Sequence, residues 1–314
     1  MAHRVGYEHK ILCLGSCFAA NMGKLLAEHF FQVQCNPNGI IFNPMSLLQG
    51  MQQALNPNLF DPEKHLITHQ GNYYGTLHHG SFKSDSKEAL IARIHTQNKL
   101  FGQYLQEADY LLLTWGSAQV YTWHTTQQVV ANCHKLPAHL FEKSLLTVSE
   151  ISAAYEIFIT ELLRINPKLR IIWSISPVKY IRGGLHQNNL SKSTLLLALE
   201  TLLKKFPQSY YFPAFEILQD ELRDYRFYAA DMAHPSEQAI QYIWEQFREH
   251  LLREDAKALY EQVQPISQAM GHRFLTPPSP EQAAFKSKQL ALVQALQAKY
   301  PQLPLASALS HFSQ

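Results

Sequence analysis

Short apolar runs alternate with helical patterns along most of this chain, and that alternation restricts the fold more than any other feature. The run Lys10-Ile11-Leu12-Cys13-Leu14 breaks at Gly15-Ser16, after which Phe18, Met22, Leu25, Leu26 and Phe30 recur every three to four residues. This reads as strand, tight turn and amphipathic helix. Further runs of strand length lie at 31–35, 110–115, 170–175 and 210–212, most of them separated by helical patterns over 86–105, 149–165 and 191–206. Strands that are apolar on both faces belong to a covered parallel sheet, and parallel neighbours need crossover helices. An α/β fold is therefore expected: a three-layer α/β/α sandwich around a parallel sheet.

Two segments interrupt the alternation, 66–82 around Gly71-Asn72 and 119–133 around Thr125-Thr126. Both are rich in β-branched or aromatic residues and read as β-hairpin inserts. After Asp231 the pattern predicts a long helix from Ser236 to about Ala258, a break at Pro277-Pro278-Ser279-Pro280 and a last helix ending near Tyr300. Phe285, Leu292, Val293, Leu296 and Tyr300 form an apolar stripe on that last helix, and such a stripe must be buried. Residues 266–314 are thus expected to be a C-terminal helical extension, packed on the domain formed by 1–265 or on a second copy of the chain.

Composition excludes several partners. The chain has 314 residues, 46% hydrophobic and 17% charged, and no run approaches the length of a membrane span. Lys plus Arg number 27 against 25 for Asp plus Glu, without a basic cluster, so neither nucleic acid nor a membrane is expected as a partner. The first ten residues lead into only Ile11 to Leu14, too short for a secretory signal, and a cytoplasmic location is expected. Cys13, Cys17, Cys35 and Cys133 form no C-x-x-C pair; they read as free thiols, with no metal and no cofactor.

Two motifs carry chemistry. The turn Gly15-Ser16-Cys17 lies at the carboxyl end of a predicted strand, where ligands of open α/β sheets bind, and it holds two nucleophile-capable side chains. Its structural reading is a turn glycine, a serine helix cap and a buried cysteine. A helix N-terminus favours a thiolate or a developing anion there. Asp231-Met232-Ala233-His234-Pro235 places an Asp and a His three apart, so that the Asp can fix the imidazole tautomer and leave the other ring nitrogen free as a base.

Together the motifs resemble the SGNH or GDSL hydrolase superfamily, and Gly15-Ser16-Cys17-Phe18-Ala19 is similar to the signature that names the GSCFA family. The likeness extends through Asn36-Pro37-Asn38-Gly39-Ile40-Ile41-Phe42-Asn43-Pro44, Thr114-Trp115-Gly116-Ser117, Asn132-Cys133-His134-Lys135, Ser176-Pro177-Val178, Asn188-Asn189-Leu190-Ser191-Lys192 and Asp231 to Ser236, and covers about 10–250. The resemblance implies a flavodoxin-like, SGNH-hydrolase-like sheet of five strands ordered 2-1-3-4-5. It also implies hydrolase chemistry, esterase action on a small-molecule or carbohydrate ester, through a Cys/Ser-His-Asp catalytic triad of Cys17 or Ser16 with His234 and Asp231.

Two departures stand out. The register puts Cys17, not a serine, on the superfamily's nucleophile, with Ser16 where its aspartate stands. Ala118 replaces the oxyanion-holding Asn, leaving Gly39, Gly116 and Ser117 as oxyanion candidates, with Ser117 or Gln119 standing in for the lost amide. Asn43, His186 and Asn188 are candidates for substrate binding, while Ser191 reads as a helix cap and Lys192 as a solvated first-turn charge. The alternatives are acyl transfer at the same site, or a non-catalytic binder of carbohydrate or a partner.

Overall fold

The computed structural model describes residues 4–272 and 279–313; Pro277 and Pro278 of the expected proline-rich break lie outside the described residues. The strands are β1 (Lys10–Gly15), β2 (Gln32–Cys35), β3 (Leu66–His69), β4 (Asn72–Gly75), β5 (Lys83–Ser84), β6 (Tyr110–Trp115), β7 (Gln119–Trp123), β8 (Gln128–Val130), β9 (Phe141–Leu145), β10 (Arg170–Ile175) and β11 (Ser209–Tyr211). Five of them form an all-parallel sheet in the order β2-β1-β6-β10-β11. Counted in chain order those strands run 2-1-3-4-5, as expected.

The alternation of side chains along each strand divides the core in two. Ile11, Cys13, Tyr110, Leu112 and Ile172 face the Cys17–Glu28, Glu237–Leu251 and Glu254–Gly271 helices. Leu12, Leu14, Leu111, Leu113, Trp115, Ile171 and Trp173 face the Pro44–Leu55, Lys87–Glu107, Val148–Ile165 and Gly184–Lys205 helices. The result is a three-layer α/β/α sandwich. On the second face Trp115, Tyr155 and Trp173 meet edge to face, and Trp115 donates to the Tyr155 hydroxyl, which donates to the Pro44 carbonyl.

Both inserts are three-stranded antiparallel sheets, not simple hairpins: β3-β4-β5 and β8-β7-β9. The expected turns are present, with Gln70 and Gly71 at positive φ between β3 and β4. β9 escaped the pattern because its middle residues, Glu142, Lys143 and Ser144, are polar and exposed. The sheets interlock, since Ala131 N–H donates to Thr76 O and the His134 ring bonds Gly75 O.

The long helix expected from Ser236 to Ala258 is broken at Leu252. The N-terminal segment enters there: Val5 N–H donates to Leu251 O, Arg253 N–H donates to Val5 O, and Arg253 pairs with Glu8. The following helix, Glu254–Gly271, runs through position 265 with Pro265 inside it. Beyond it, Val293, Leu296, Leu303, Leu305, Ala308 and Phe312 join the same buried cluster as Trp244 and Phe247, so the C-terminal helices pack on this chain's own sandwich. Phe285 and Tyr300 pack partly against that cluster, whereas Leu292 is 48% exposed and lies off the buried face.

Candidate functional site

β1 delivers the turn to the carboxyl edge of the sheet. Gly15 has φ +135°, and a Cβ there would come within 2.1 Å of the Thr114 carbonyl on β6, so only glycine lets the two strands stay paired up to the turn. Ser16 then caps the Cys17–Glu28 helix: its Oγ accepts from Phe18 N–H at 3.2 Å and donates to Ser176 Oγ at 3.0 Å, and the residue is only 3% exposed. Cys17, the first helical residue, is half-buried. Burial raises its thiol pKa, and the opposing hydrogen bond from its own backbone N–H only partly offsets that. The thiol is therefore not a resting thiolate, contrary to what the helix terminus alone suggested.

The Asp231-His234 pair forms as expected. Asp231 Oδ2 lies 2.5 Å from His234 Nδ1, while Oδ1 accepts from His234 N–H at 2.9 Å and Ala233 N–H at 3.0 Å. Those two backbone donors, then the ring, hold the carboxyl far below the usual carboxylate range. An ionised carboxylate only accepts, so Nδ1 is the donor of this pair, which in the neutral ring makes Nε2 the acceptor. Both side chains are open to solvent, His234 by 46% and Asp231 by 51%. Lys179 N–H donates to Ala233 O, tying this loop to the one that follows β10. The β10 loop also carries Ser176, the partner of Ser16, so the Gly15-Ser16-Cys17 turn and the Asp-His loop flank one segment. No hydrogen bond joins the His234 ring to Cys17 or Ser16 among the described residues.

The expected oxyanion donors are otherwise engaged. Gly39 N–H donates to Asn36 O, and the N–H groups of Gly116 and Ser117 both donate to Phe42 O, at 2.7 and 3.1 Å. Gly116 is needed for that close approach, because a Cβ would stand 2.7 Å from Phe42 Cβ. Ser117 Oγ accepts from Gln119 N–H and bonds Ser191 Oγ. Asn43 is the cap of the Pro44–Leu55 helix, accepting from Ser46 N–H and donating to Ser46 Oγ. Asn188 is buried, accepting from Tyr180 N–H and donating to Asn189 Oδ1; of the three substrate-binding candidates only His186 is exposed. Both Asn residues thus have structural partners for their two amide atoms.

Three further residues shape the site. Ser176 is completely buried beside Ser16. Lys192, expected on the surface, is 2% exposed and donates to Gly116 O at 2.7 Å and Ser176 O at 2.6 Å, clamping the ends of β6 and β10; burial lowers its pKa to about 7. The helix begins at Gly184, about two turns before Ser191, so Ser191 is not a cap and Lys192 is not in a first turn; Asn188, Ser191, Lys192 and Leu195 at three-to-four spacing were the available signal. Asn36, at φ +45°, accepts from Gly15 N–H at 2.8 Å, and its Nδ2 is buried with no partner.

All four cysteines are free thiols. Among the described residues no three His, Cys, Asp or Glu side chains are grouped to hold a metal ion, and no helix is long and apolar enough to cross a membrane. No curated protein matches the chain. The model of the GSCFA family matches residues 10–247, and that of the GSCFA domain protein, C-terminal domain, matches residues 263–314. With the first match alone spanning well over half of its length, the chain belongs to the GSCFA family.

Proposed function

We propose that this site performs acyl-group chemistry, hydrolysing an ester of a small molecule or carbohydrate or transferring its acyl group. The observation that carries the proposal is the Asp231-His234 pair, with Nδ1–H fixed, Nε2 free and its loop held to the segment that contacts Ser16. Cys17 is the nucleophile. Ser16 already caps the helix and donates a hydrogen bond to Ser176, whereas the half-buried Cys17 thiol bonds no other residue among those described.

In this reading the Cys17 S–H proton passes to His234 Nε2 as sulfur attacks the ester carbonyl. Because burial raises the thiol pKa, the base acts during attack and there is no standing thiolate-imidazolium pair. Substrate binding brings the exposed imidazole up to the thiol, as apo sites commonly require. The oxyanion is met by the positive end of the Cys17–Glu28 helix and by Asn36 Nδ2. Collapse expels the alcohol, protonated by His234, and leaves a thioester on Cys17. Water or a second alcohol, deprotonated by His234, then attacks the thioester and restores the thiol.

The engagement of Gly39, Gly116 and Ser117 favours a second reading, a binder of carbohydrate or a partner that keeps the scaffold without turnover. A panel of short-chain aryl esters and acetylated sugars separates the two. Acyl chemistry through Cys17 requires turnover that falls at least about a thousandfold in both Cys17→Ala and His234→Ala. Turnover lost in Ser16→Ala but kept in Cys17→Ala transfers the nucleophile to Ser16, and no turnover of any ester leaves the binder.

A further inference from the structure

The loop after β10 continues past Lys179 to Gly183 and enters the Gly184–Lys205 helix. That helix of 22 residues starts on Gly183 with no side-chain cap and no acidic residue in its first turn. Gly184 N–H turns back to Ile181 O, and an N-terminus that no side chain caps carries positive potential. Two further donors converge on it. A Cβ on Gly183 would lie 3.4 Å from Lys143 Nζ and 3.5 Å from Gln119 Nε2. Gln119 is a buried side chain, 4% exposed, whose Oε1 has no partner and whose Nε2 donates to no described residue.

Charge accumulates around the same point. The Arg182 guanidinium is close enough to Tyr180 and Cys133 to oppose the rise that burial imposes on both. Lys143 stands 5.5 Å from the centre of the Tyr180 ring, and Lys179 3.7 Å from that of Tyr228. Among the described residues none of these three cations has an ion-pair partner. At the opposite edge of the sheet the cations are paired, Lys10 with Glu107, Lys168 with Asp109 and Arg253 with Glu8. The carboxylates near the cluster do not compensate: Asp231 is committed to His234, and Glu142 faces away from Lys143 on the alternating strand β9. Cations beside an uncapped helix N-terminus repel one another and the helix dipole unless an anion completes the arrangement.

We propose that Lys143, Gln119 and the Gly183 helix terminus, with Arg182 beside them, form a subsite for an anionic group, a phosphate or carboxylate, borne by the acyl substrate. The assignment of the anion to the substrate rests on the acyl-transfer reading, because Gly183 ends the β10 loop and Lys179 N–H ties that loop to the one that carries His234. Gly183 leaves space beside the Lys143 and Gln119 donors that a larger side chain would fill.

The test has two arms on the full chain. Inorganic phosphate binding is measured by chemical-shift or thermal-shift titration, which needs no turnover, for wild type, Lys143→Ala, Gly183→Val and the remote surface control Lys99→Ala. Phenyl acetate and its 4-carboxylate are then compared as substrates. The expected result is phosphate binding weakened about tenfold in Lys143→Ala and Gly183→Val but not in Lys99→Ala, and a preference for the 4-carboxylate that Lys143→Ala removes. Phosphate binding of that pattern with no ester turnover keeps the subsite and overturns the acyl reading. Phosphate that binds without the charged ester being preferred overturns the assignment of the anion to the substrate. Absence of binding, or equal weakening in Lys99→Ala, overturns the subsite.

Discussion

Lys192 carries its amine into the interior and spends it on two strand-end carbonyls, Gly116 and Ser176, with no carboxylate to balance the charge. Desolvation favours the neutral amine, lowering the folded pKa to about 7 from 10.5. Between those values the unfolded chain binds the proton and the folded chain does not, so stability rises with pH across that window and is flat below it. Urea midpoints compared between wild type and Lys192→Met should show the wild type gaining on the variant from pH 7 to 10; parallel profiles would mean the amine stays charged. Asn36 offers a test of the site. Asn36→Asp keeps the acceptor for Gly15 N–H but removes the unpartnered Nδ2 donor, so kcat for an active ester should fall about a hundredfold with KM little changed. An unchanged kcat would remove Asn36 from the oxyanion site.

At the scale of elements, the interlocked inserts depend on buried neutral histidines. His78 is fully buried with both ring nitrogens unpartnered and stacks on Phe82, while His134 bonds Gly75 O. Burial lowers their pKa values to about 3 and about 4. As pH falls from 6.5 toward 4 the unfolded chain takes up protons that the folded chain refuses, so stability is lost through that window. Amide protection factors, which correct for the intrinsic slowing of exchange in acid, should therefore fall in β3, β4 and β8 before those of β1 and β6. His78→Leu, which loses no hydrogen bond, should flatten this response without destabilising the protein at pH 7; an unchanged acid response would clear His78 as its source. The expected hairpin turns lay in local sequence, around Gly71-Asn72 and Thr125-Thr126. The packing of one insert on the other involves Thr76, Ala131 and His134, residues with no mutual signal in the chain.

For the whole molecule, the C-terminal helices are part of the main core. Phe312, near the end of the chain, is buried with Leu305 and Val293 in the cluster that includes Trp244. Phe312→Ala should cost about 3–5 kcal/mol, read from the urea midpoint, and should leave alkylation of Cys17 unchanged. A midpoint within error of wild type would mean that the tail only rests on the sandwich.

The sequence by itself determined the layers, because apolar runs alternating with helical periods have few other solutions, while the strand order came only with the family resemblance; local spacing identified the Gly15-Ser16-Cys17 turn and the Asp231-His234 pair. Local spacing also misled where a distant segment intervened. Leu252 breaks a helix because Val5 pairs beside it, and Gly116 reads as an oxyanion donor until Phe42 is seen to accept its N–H group. Lys192 reads as a surface charge until the ends of β6 and β10 close around it. Periodicity records which face of an element is apolar. Only the tertiary structure decides which backbone groups meet across the sheet's carboxyl edge, since hydrogen bonds between residues far apart in the chain leave no period for sequence to show.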